Sequence, residues 1–229
     1  METSYRKIGI AITTRNRRNI ADITISQWQR FAPKNSIIAI VDDASDIPYP
    51  GATLRFDTQQ GIAKSKNACI YLLLNAGCTD IFLSDDDTYP INHIGINQYL
   101  DSGFNHMCMS FDHTANGKRI SNDVYIDWKQ PRWWSFNSPC GCLLYFKSKV
   151  FDHTIGYDES FNIWGMEHKD LSLRIHKEGL TPLPYLDIPH STDNFYSHDY
   201  HLTANSSVPE NIRVSEIKRN IEYFNNKHS

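Results

Sequence analysis

No apolar run in this 229-residue chain approaches the roughly 20 residues that a membrane-spanning helix needs. The first residues run straight into a strand-like segment, so a secretory leader is not expected. Cysteine is scarce and odd in number: Cys69, Cys78, Cys108, Cys140 and Cys142 make five. They form no regular disulfide framework, and Cys140-Gly-Cys142 lacks the Cys-x-x-Cys spacing of a zinc knuckle. Cys69 and Cys108 sit in apolar stretches and are expected as buried thiols. These shortages point to a soluble, cytoplasmic protein. In that compartment the sequon Asn205-Ser206-Ser207 carries no meaning. An excess of positive charge is missing too. The formal net charge is -3, so no global basic field advertises a nucleic-acid partner, although a local basic groove stays open. Internal repeats and low-complexity linkers are also absent.

What is present is an ordinary globular composition, 40% hydrophobic and 21% charged, with enough apolar residues for a sizeable core. Residues 7–13 (KIGIAIT) read as a strand. Residues 19–31 read as a helix with Ile20, Ile23, Ile25, Trp28 and Phe31 on one face, ended by Pro33. Residues 36–41 (SIIAIV) form a continuous apolar strand of the kind buried on both faces of a parallel sheet. A short strand over 53–56 follows, then a helix from Gly61 to Asn75 with Gly77 as its stop. Residues 80–83 make a third buried strand, and Pro90 is expected to open a helix reaching Leu100. In the second half, 142–147 and 183–188 read as strands, 167–177 and 210–225 as helices. Alternating strands and helices predict an α/β protein with a mainly parallel sheet flanked by helices. One domain over residues 1–229 is expected, with a donor half over about 1–105 and an acceptor half over about 106–229.

In such sheets ligands bind beyond the carboxyl ends of the strands. Two of the predicted strands end there in carboxylates. Asp85-Asp86-Asp87 follows the third strand directly, and three adjacent carboxylates repel one another unless a cation neutralises them. In extended backbone Asp85 and Asp87 share a side. Their hard oxygens suit Mg²⁺ or Mn²⁺ with a diphosphate completing the shell. Taken alone, the triplet reads equally as a solvated acidic turn. Asp42-Asp43-Ala44-Ser45-Asp46 is a second strand-end turn, able to accept from a nucleobase or ribose or simply to bond its own backbone. Gly61-Ile62-Ala63-Lys64-Ser65-Lys66-Asn67 opens a helix whose free N–H groups and lysines favour an anion. It lacks the second glycine of a P-loop.

A later stretch, Trp164-Gly165-Met166-Glu167-His168-Lys169-Asp170, completes an ordered set. With Thr13-Thr14-Arg15-Asn16-Arg17, the two acidic turns and the 61–67 helix start, it resembles the glycosyltransferases of GT-A fold. The likeness is closest to family 2 and to the galactosyltransferase-like enzymes with a Trp-Gly-x-Glu-Asp signature. It spans roughly residues 5–190. The order of the motifs is more specific than any one of them. A sugar-phosphate nucleotidyltransferase is disfavoured, because residues 7–17 hold only Gly9 and no glycine-rich loop.

The resemblance implies a metal-dependent transfer of a sugar from a nucleotide diphosphate donor, with UDP expected, to the hydroxyl of a glycan precursor. A nucleic-acid acceptor is not favoured. Asp85 and Asp87 would hold the metal, joined by His190 or, second, His198. Thr13, Arg15, Asp42, Asp43, Lys66, Asn67 and Asp86 would line the donor site. Trp133, Trp134, Trp164 and Gly165 would meet the acceptor, although Trp128, Trp133 and Trp134 read equally as core. In inverting members an Asp base follows the signature Glu; here His168 stands in its place. His168, Glu167 and Asp170 are therefore the alternative candidates for the base, with inversion favoured, while a retaining enzyme or an inactive relative stays open.

Overall fold

The computed structural model describes residues 6–120, 122–126, 133–203 and 208–229. The chain forms β1 (Ile8–Thr14), α1 (Arg18–Phe31), β2 (Ile37–Asp42), β3 (Leu54–Arg55), α2 (Ile62–Asn75), β4 (Asp80–Asp85), β5 (Thr88–Pro90), α3 (Ile94–Asp101) and β6 (His106–Cys108). It continues through β7 (Val124–Ile126), β8 (Trp134–Phe136), β9 (Leu143–Lys147), α4 (Glu167–Lys177), β10 (Leu186–Asp187), β11 (Phe195–Ser197), α5 (His198–His201) and α6 (Glu210–His228). The main sheet has the order β3-β2-β1-β4-β9-β6. Strands β1 to β4 run parallel, and β9 pairs antiparallel with both β4 and β6.

Apolar alternation explains the layers. Ile8, Ile10 and Ile12 of β1 join Phe82 and Tyr145 against α1 and α3, while Ala11, Leu83 and Leu144 face α2 and α4. Side chains two apart on a strand share a face, so each strand serves both cores. On α1 the buried positions are Ala21, Thr24, Ile25 and Trp28, spaced i, i+3, i+4, i+7. The expected face differs in one place. Ile23 is exposed and Thr24 is buried, because the Thr24 hydroxyl donates to the Asp86 carbonyl at 2.6 Å.

Pro90 does not open a helix. It ends the edge strand β5, which pairs with β11 in the register Thr88↔Ser197 and Pro90↔Phe195. Proline is tolerated there because an edge strand leaves an N–H unpaired, and Tyr89 stacks on Tyr196 with centroids 4.9 Å apart. The expected strand over 183–188 is shorter, and β10 lies with β8 and β7 in a separate sheet. Cys69 and Cys108 are buried as expected, and all five cysteines are free. Among the described residues, no helix is long and apolar enough to cross a membrane.

Close packing makes one glycine diagnostic. A Cβ on Gly9 would lie 2.7 Å from Cys78 Sγ and 2.8 Å from Leu73 Cδ2, so these buried side chains would have to shift. Gly9→Ala should therefore lower stability by about 1–3 kcal/mol. Urea unfolding measures it, and an unchanged midpoint would mean that β1 and α2 are not this close.

Candidate functional site

The carboxyl ends of β1, β2 and β4 open into one pocket. Thr13, Thr14, Arg15, Arg17, Asp43 and the triplet Asp85-Asp86-Asp87 line one side; Gly61, Ile62 and Ser65 from the start of α2 continue it. Ile163, Trp164, Asp199, Val208 and Arg213 complete its lining. Strand order changes direction between β1 and β4, which is where an open α/β sheet leaves a crevice for ligand.

The triplet is held by two cations from different elements. Arg17 Nη1 lies 2.9 Å from Asp86 Oδ1, and its Nη2 pairs with Asp87 Oδ2. Asp86 also accepts from the Thr14 hydroxyl at 2.7 Å. Burial pushes the Asp86 carboxyl up to about 7; Arg17 opposes the rise and Asp87 adds to it. Asp85 is reached by the fully buried Lys66, with Nζ 2.6 Å from Oδ1. That contact is an ion pair without hydrogen-bond alignment, since Lys66 Nζ has no hydrogen-bond partner. Asp85 is the most exposed of the three carboxylates, one third open. Lys66 thus acts on the pocket from beneath, through Asp85.

Asp42 and Asp43 divide differently from expectation. Asp42 is fully buried and accepts from Ser45 N, Tyr49 N and Arg55 Nη1 at 2.9, 2.9 and 2.7 Å. Burial raises its pKa, but those bonds outweigh it and hold the carboxyl below its ordinary range. It is a turn-former spent on backbone and does not line the pocket. Asp43 does line it, and accepts from Gln60 N and Gly61 N at 2.7 and 3.0 Å, fixing the approach to α2. Gly61 has φ +85° and a Cβ there would meet Asn162 O at 2.4 Å, so only glycine lets this turn touch the 162–163 segment. Arg15 donates to the carbonyls of Asp43 and Ala44, both at 2.8 Å. Asn67 points elsewhere: it bonds Tyr157 N, Tyr157 O and Glu159 Oε1, and is a clamp for that loop.

At the start of α4, Glu167 is buried. Its Oε1 lies 3.1 Å from His168 Nε2, and its Oε2 is buried without a partner. His168 Nδ1 lies 3.2 Å from the Tyr157 hydroxyl. Burial pulls the His168 pKa down to about 4, with Glu167 opposing and Lys66 adding to the fall, so the ring is neutral at pH 7. The Tyr157 hydroxyl and Nδ1 share a hydrogen bond whose direction depends on the tautomer, and the Nε2 edge lies against Glu167 Oε1. Both ring nitrogens are then engaged. The ring also fills the space of a missing side chain, since a Cβ on Gly141 would fall 2.2 Å from His168 Cδ2. Asp170 is not a base. It is fully buried, with Arg174 Nε, Lys227 Nζ and His228 Nε2 each 2.8 Å away, and anchors α6.

The remaining expected residues scatter. His190 is exposed, packs edge-on to Trp134 with centroids 4.6 Å apart, and lies outside the pocket. His198 stays close through its main chain, whose N–H donates to the Asp87 carbonyl at 3.2 Å; its ring Nδ1 bonds Thr203 Oγ1 at 2.9 Å. Trp133 is core, set edge-on to Phe104. Trp128 lies outside the described residues. Trp164 does line the pocket, and Gly165 packs on Ile217 of α6.

Sequence reasoning missed Asp199. The β5–β11 pairing carries it to the triplet. Asp199 is an exposed residue, yet the protein mass about its carboxyl raises the pKa to about 6, and Asp87 and Asp85 raise it further. Its position beside two histidines in a polar loop was the only available signal. Arg17 was visible as the end of the Thr13–Arg17 motif and Ser65 within the 61–67 helix start; nothing marked Arg213. Among the described residues, no three His, Cys, Asp or Glu side chains are grouped to hold a metal unaided. One or two carboxylates plus substrate phosphates suffice for Mg²⁺, and Asp85, Asp87 and Asp199 are hard-oxygen donors on one pocket.

Comparisons with known proteins agree on one enzyme class. A family model described as the N-terminal domain of galactosyltransferase matches residues 126–201, which include the Trp164–His168 motif. A relative from Acanthamoeba polyphaga mimivirus, called an uncharacterized glycosyltransferase, is 26% identical over 251 residues, covering 97% of this chain and 94% of its own. A mannosyltransferase from Pyrobaculum calidifontis, solved with GDP-Man and Mn²⁺, is similar at TM-score 0.57 and 15% identity, over 79% of this chain and 56% of its own. GalNAc-T7, solved with UDP, GalNAc and Mn²⁺, is similar at TM-score 0.62 and 14% identity, over 82% of this chain and 43% of its own. This chain thus spans only about half the length of those two solved proteins. The six-stranded, mainly parallel sheet with helices on both faces is the GT-A fold.

Removing Arg17 should expose what it balances. Arg17→Ala leaves Asp86 and Asp87 uncompensated and should cost about 3–5 kcal/mol in metal-free buffer. Thermal unfolding with and without MnCl₂ tests this, with Mn²⁺ expected to recover part of the loss. A variant as stable as the parent would show that the triplet needs no counter-charge.

Proposed function

We propose that this glycosyltransferase moves a sugar from a nucleoside diphosphate donor, with UDP as the expected nucleotide, to an acceptor hydroxyl with inversion at the anomeric carbon. The observation that carries the reading is the convergence of Asp85, Asp86 and Asp87 with Arg15, Arg17 and the start of α2 in one pocket. Carboxylates suit a cation, while guanidinium groups and free helix N–H groups suit a diphosphate. A pocket offering both matches a metal-bound nucleoside diphosphate. The Mn²⁺ and nucleotide or nucleotide-sugar present in two similar structures support the same assignment.

Asp85 and Asp87 are the metal ligands of this reading, for Mn²⁺ or Mg²⁺, and Asp199 takes the part first expected of His190. When bound, the cation neutralises phosphate oxygens and eases departure of the nucleoside diphosphate. Thr13, Arg15 and Asp43 serve the nucleotide; the α2 start serves the phosphates, while Arg17 balances the triplet. Trp164 offers an apolar face to a sugar. The division into a donor half and an acceptor half follows from the same assignment, with residues 106–229 supplying Trp164 and Glu167. A glycan precursor remains the proposed acceptor.

Glu167 is the base. Among the described residues its Oε2 has no hydrogen-bond partner, which leaves it able to accept from an acceptor hydroxyl. The acceptor proton goes to Oε2 as the acceptor oxygen bonds the anomeric carbon. The bond from that carbon to the diphosphate oxygen breaks, and the nucleoside diphosphate leaves with the electron pair. His168 and Tyr157 orient Glu167 through Oε1, which accounts for a histidine where other enzymes carry an aspartate.

Two measurements test the assignment. UDP binding followed by calorimetry should require Mn²⁺ and vanish in Asp87→Ala; metal-independent binding of equal strength would contradict the metal role. Glu167→Gln should lower kcat by about 10²- to 10⁴-fold with little change in donor affinity. His168→Ala should lose less than that. Equal or greater loss in His168→Ala would transfer the role of base to the histidine.

A further inference from the structure

Helix α6 closes the chain as an amphipathic segment with no motif of its own, yet it reaches into the donor pocket. Its Arg213 lines that pocket opposite the aspartates. The guanidinium carbon lies over the Trp164 ring, 5.4 Å from its centre, a cation–π contact that occupies none of its N–H donors. Arg213 forms no ion pair among the described residues, and its Nε is buried without a hydrogen-bond partner. A buried donor on a permanent cation costs free energy unless an anion meets it. Arg15 and Arg17, the other guanidiniums of the pocket, are already bonded to carbonyls and to the triplet. Among the described residues of the pocket, Arg213 is the guanidinium with no carbonyl or carboxylate partner.

Its position is fixed along the helix. Two turns on, the fully buried Asn220 donates Nδ2–H to the carbonyls of Phe161, Trp164 and Gly165 at 2.8, 2.8 and 3.0 Å. Its Oδ1 accepts from Arg219. Ile217 packs on Gly165, whose φ of +97° and missing side chain permit the contact. At the far end Lys227 pairs with Asp158 and Asp170. The helix is therefore tied to the segment carrying Trp164 and Glu167, and Arg213 is held where that segment meets the pocket.

We infer that Arg213 is an anion-binding residue that engages the phosphates of the nucleotide, and that α6 is the element that completes the donor pocket. The inference rests on the donor-site reading above, and Asn220 acts as a positioning residue for it. UDP and GDP are the probes, titrated calorimetrically in MnCl₂ into the full chain and into Arg213→Ala, Arg213→Met and Arg213→Lys. Failure of both nucleotides to bind the unaltered protein would sink the donor-site reading itself. Where a nucleotide binds, Arg213→Ala should weaken it by about 10- to 100-fold. Arg213→Met keeps an aliphatic cover on Trp164 and should lose as much, while Arg213→Lys should recover part. Thermal unfolding identifies any variant that has lost its fold. Methionine binding within about twofold of arginine would reduce the role of Arg213 to packing and overturn the proposal.

Discussion

Three consecutive carboxylates at the end of a buried strand repel one another, and the surrounding structure is arranged to hold them. Lys66 comes up from α2 beneath Asp85, and Arg17 comes from the loop after β1 to Asp86 and Asp87. Thr14 and Thr24 add hydroxyls to the side chain and carbonyl of Asp86. These partners belong to three different elements, so the triplet is assembled only once β1, α1, α2 and β4 have packed. Fold and site are coupled through that one electrostatic constraint. Buried cations this close also set the condition for a metal: an incoming cation must share the carboxylates with Arg17 and Lys66.

The second centre is apolar by contrast. Glu167, His168 and Tyr157 form a buried row in which, among the described residues, Glu167 Oε2 has no hydrogen-bond partner. An unpaired carboxylate oxygen in such a place is costly, and that cost is understandable where a substrate hydroxyl is meant to bind. The neutral His168 ring supports the carboxylate without competing for the proton. Helix α6 sits behind this centre and reaches forward into the first one, so the acceptor and donor sides are held by the same C-terminal element.

Much of this was legible in the chain. Apolar runs marked β1, β2, β4 and β9 because strands buried on both faces carry a continuous local signal. Strand ends then placed Thr13, Asp43 and Asp85–Asp87 on one rim by topology alone. The errors arose where meaning depends on distant pairing. Pro90 looks like a helix start until β11 supplies an edge partner. Asp42 and Asp43 are adjacent and chemically identical, and only the fold sends one into a turn and the other to the pocket. Asp170 was indistinguishable from a base until Arg174, Lys227 and His228 closed around it. Asp199 and Arg213 reach the pocket through β11 and α6, which no local pattern connects to the triplet.

The central claim is that this pocket activates a sugar nucleotide through a cation held by the triplet. The most direct measurement is release of free nucleoside diphosphate from a panel of UDP- and GDP-sugars incubated with the protein in MnCl₂. The account predicts release from at least one donor, abolished by EDTA and by Asp87→Asn. Release that persists undiminished in EDTA, or no release and no binding from any donor in the panel, would contradict it.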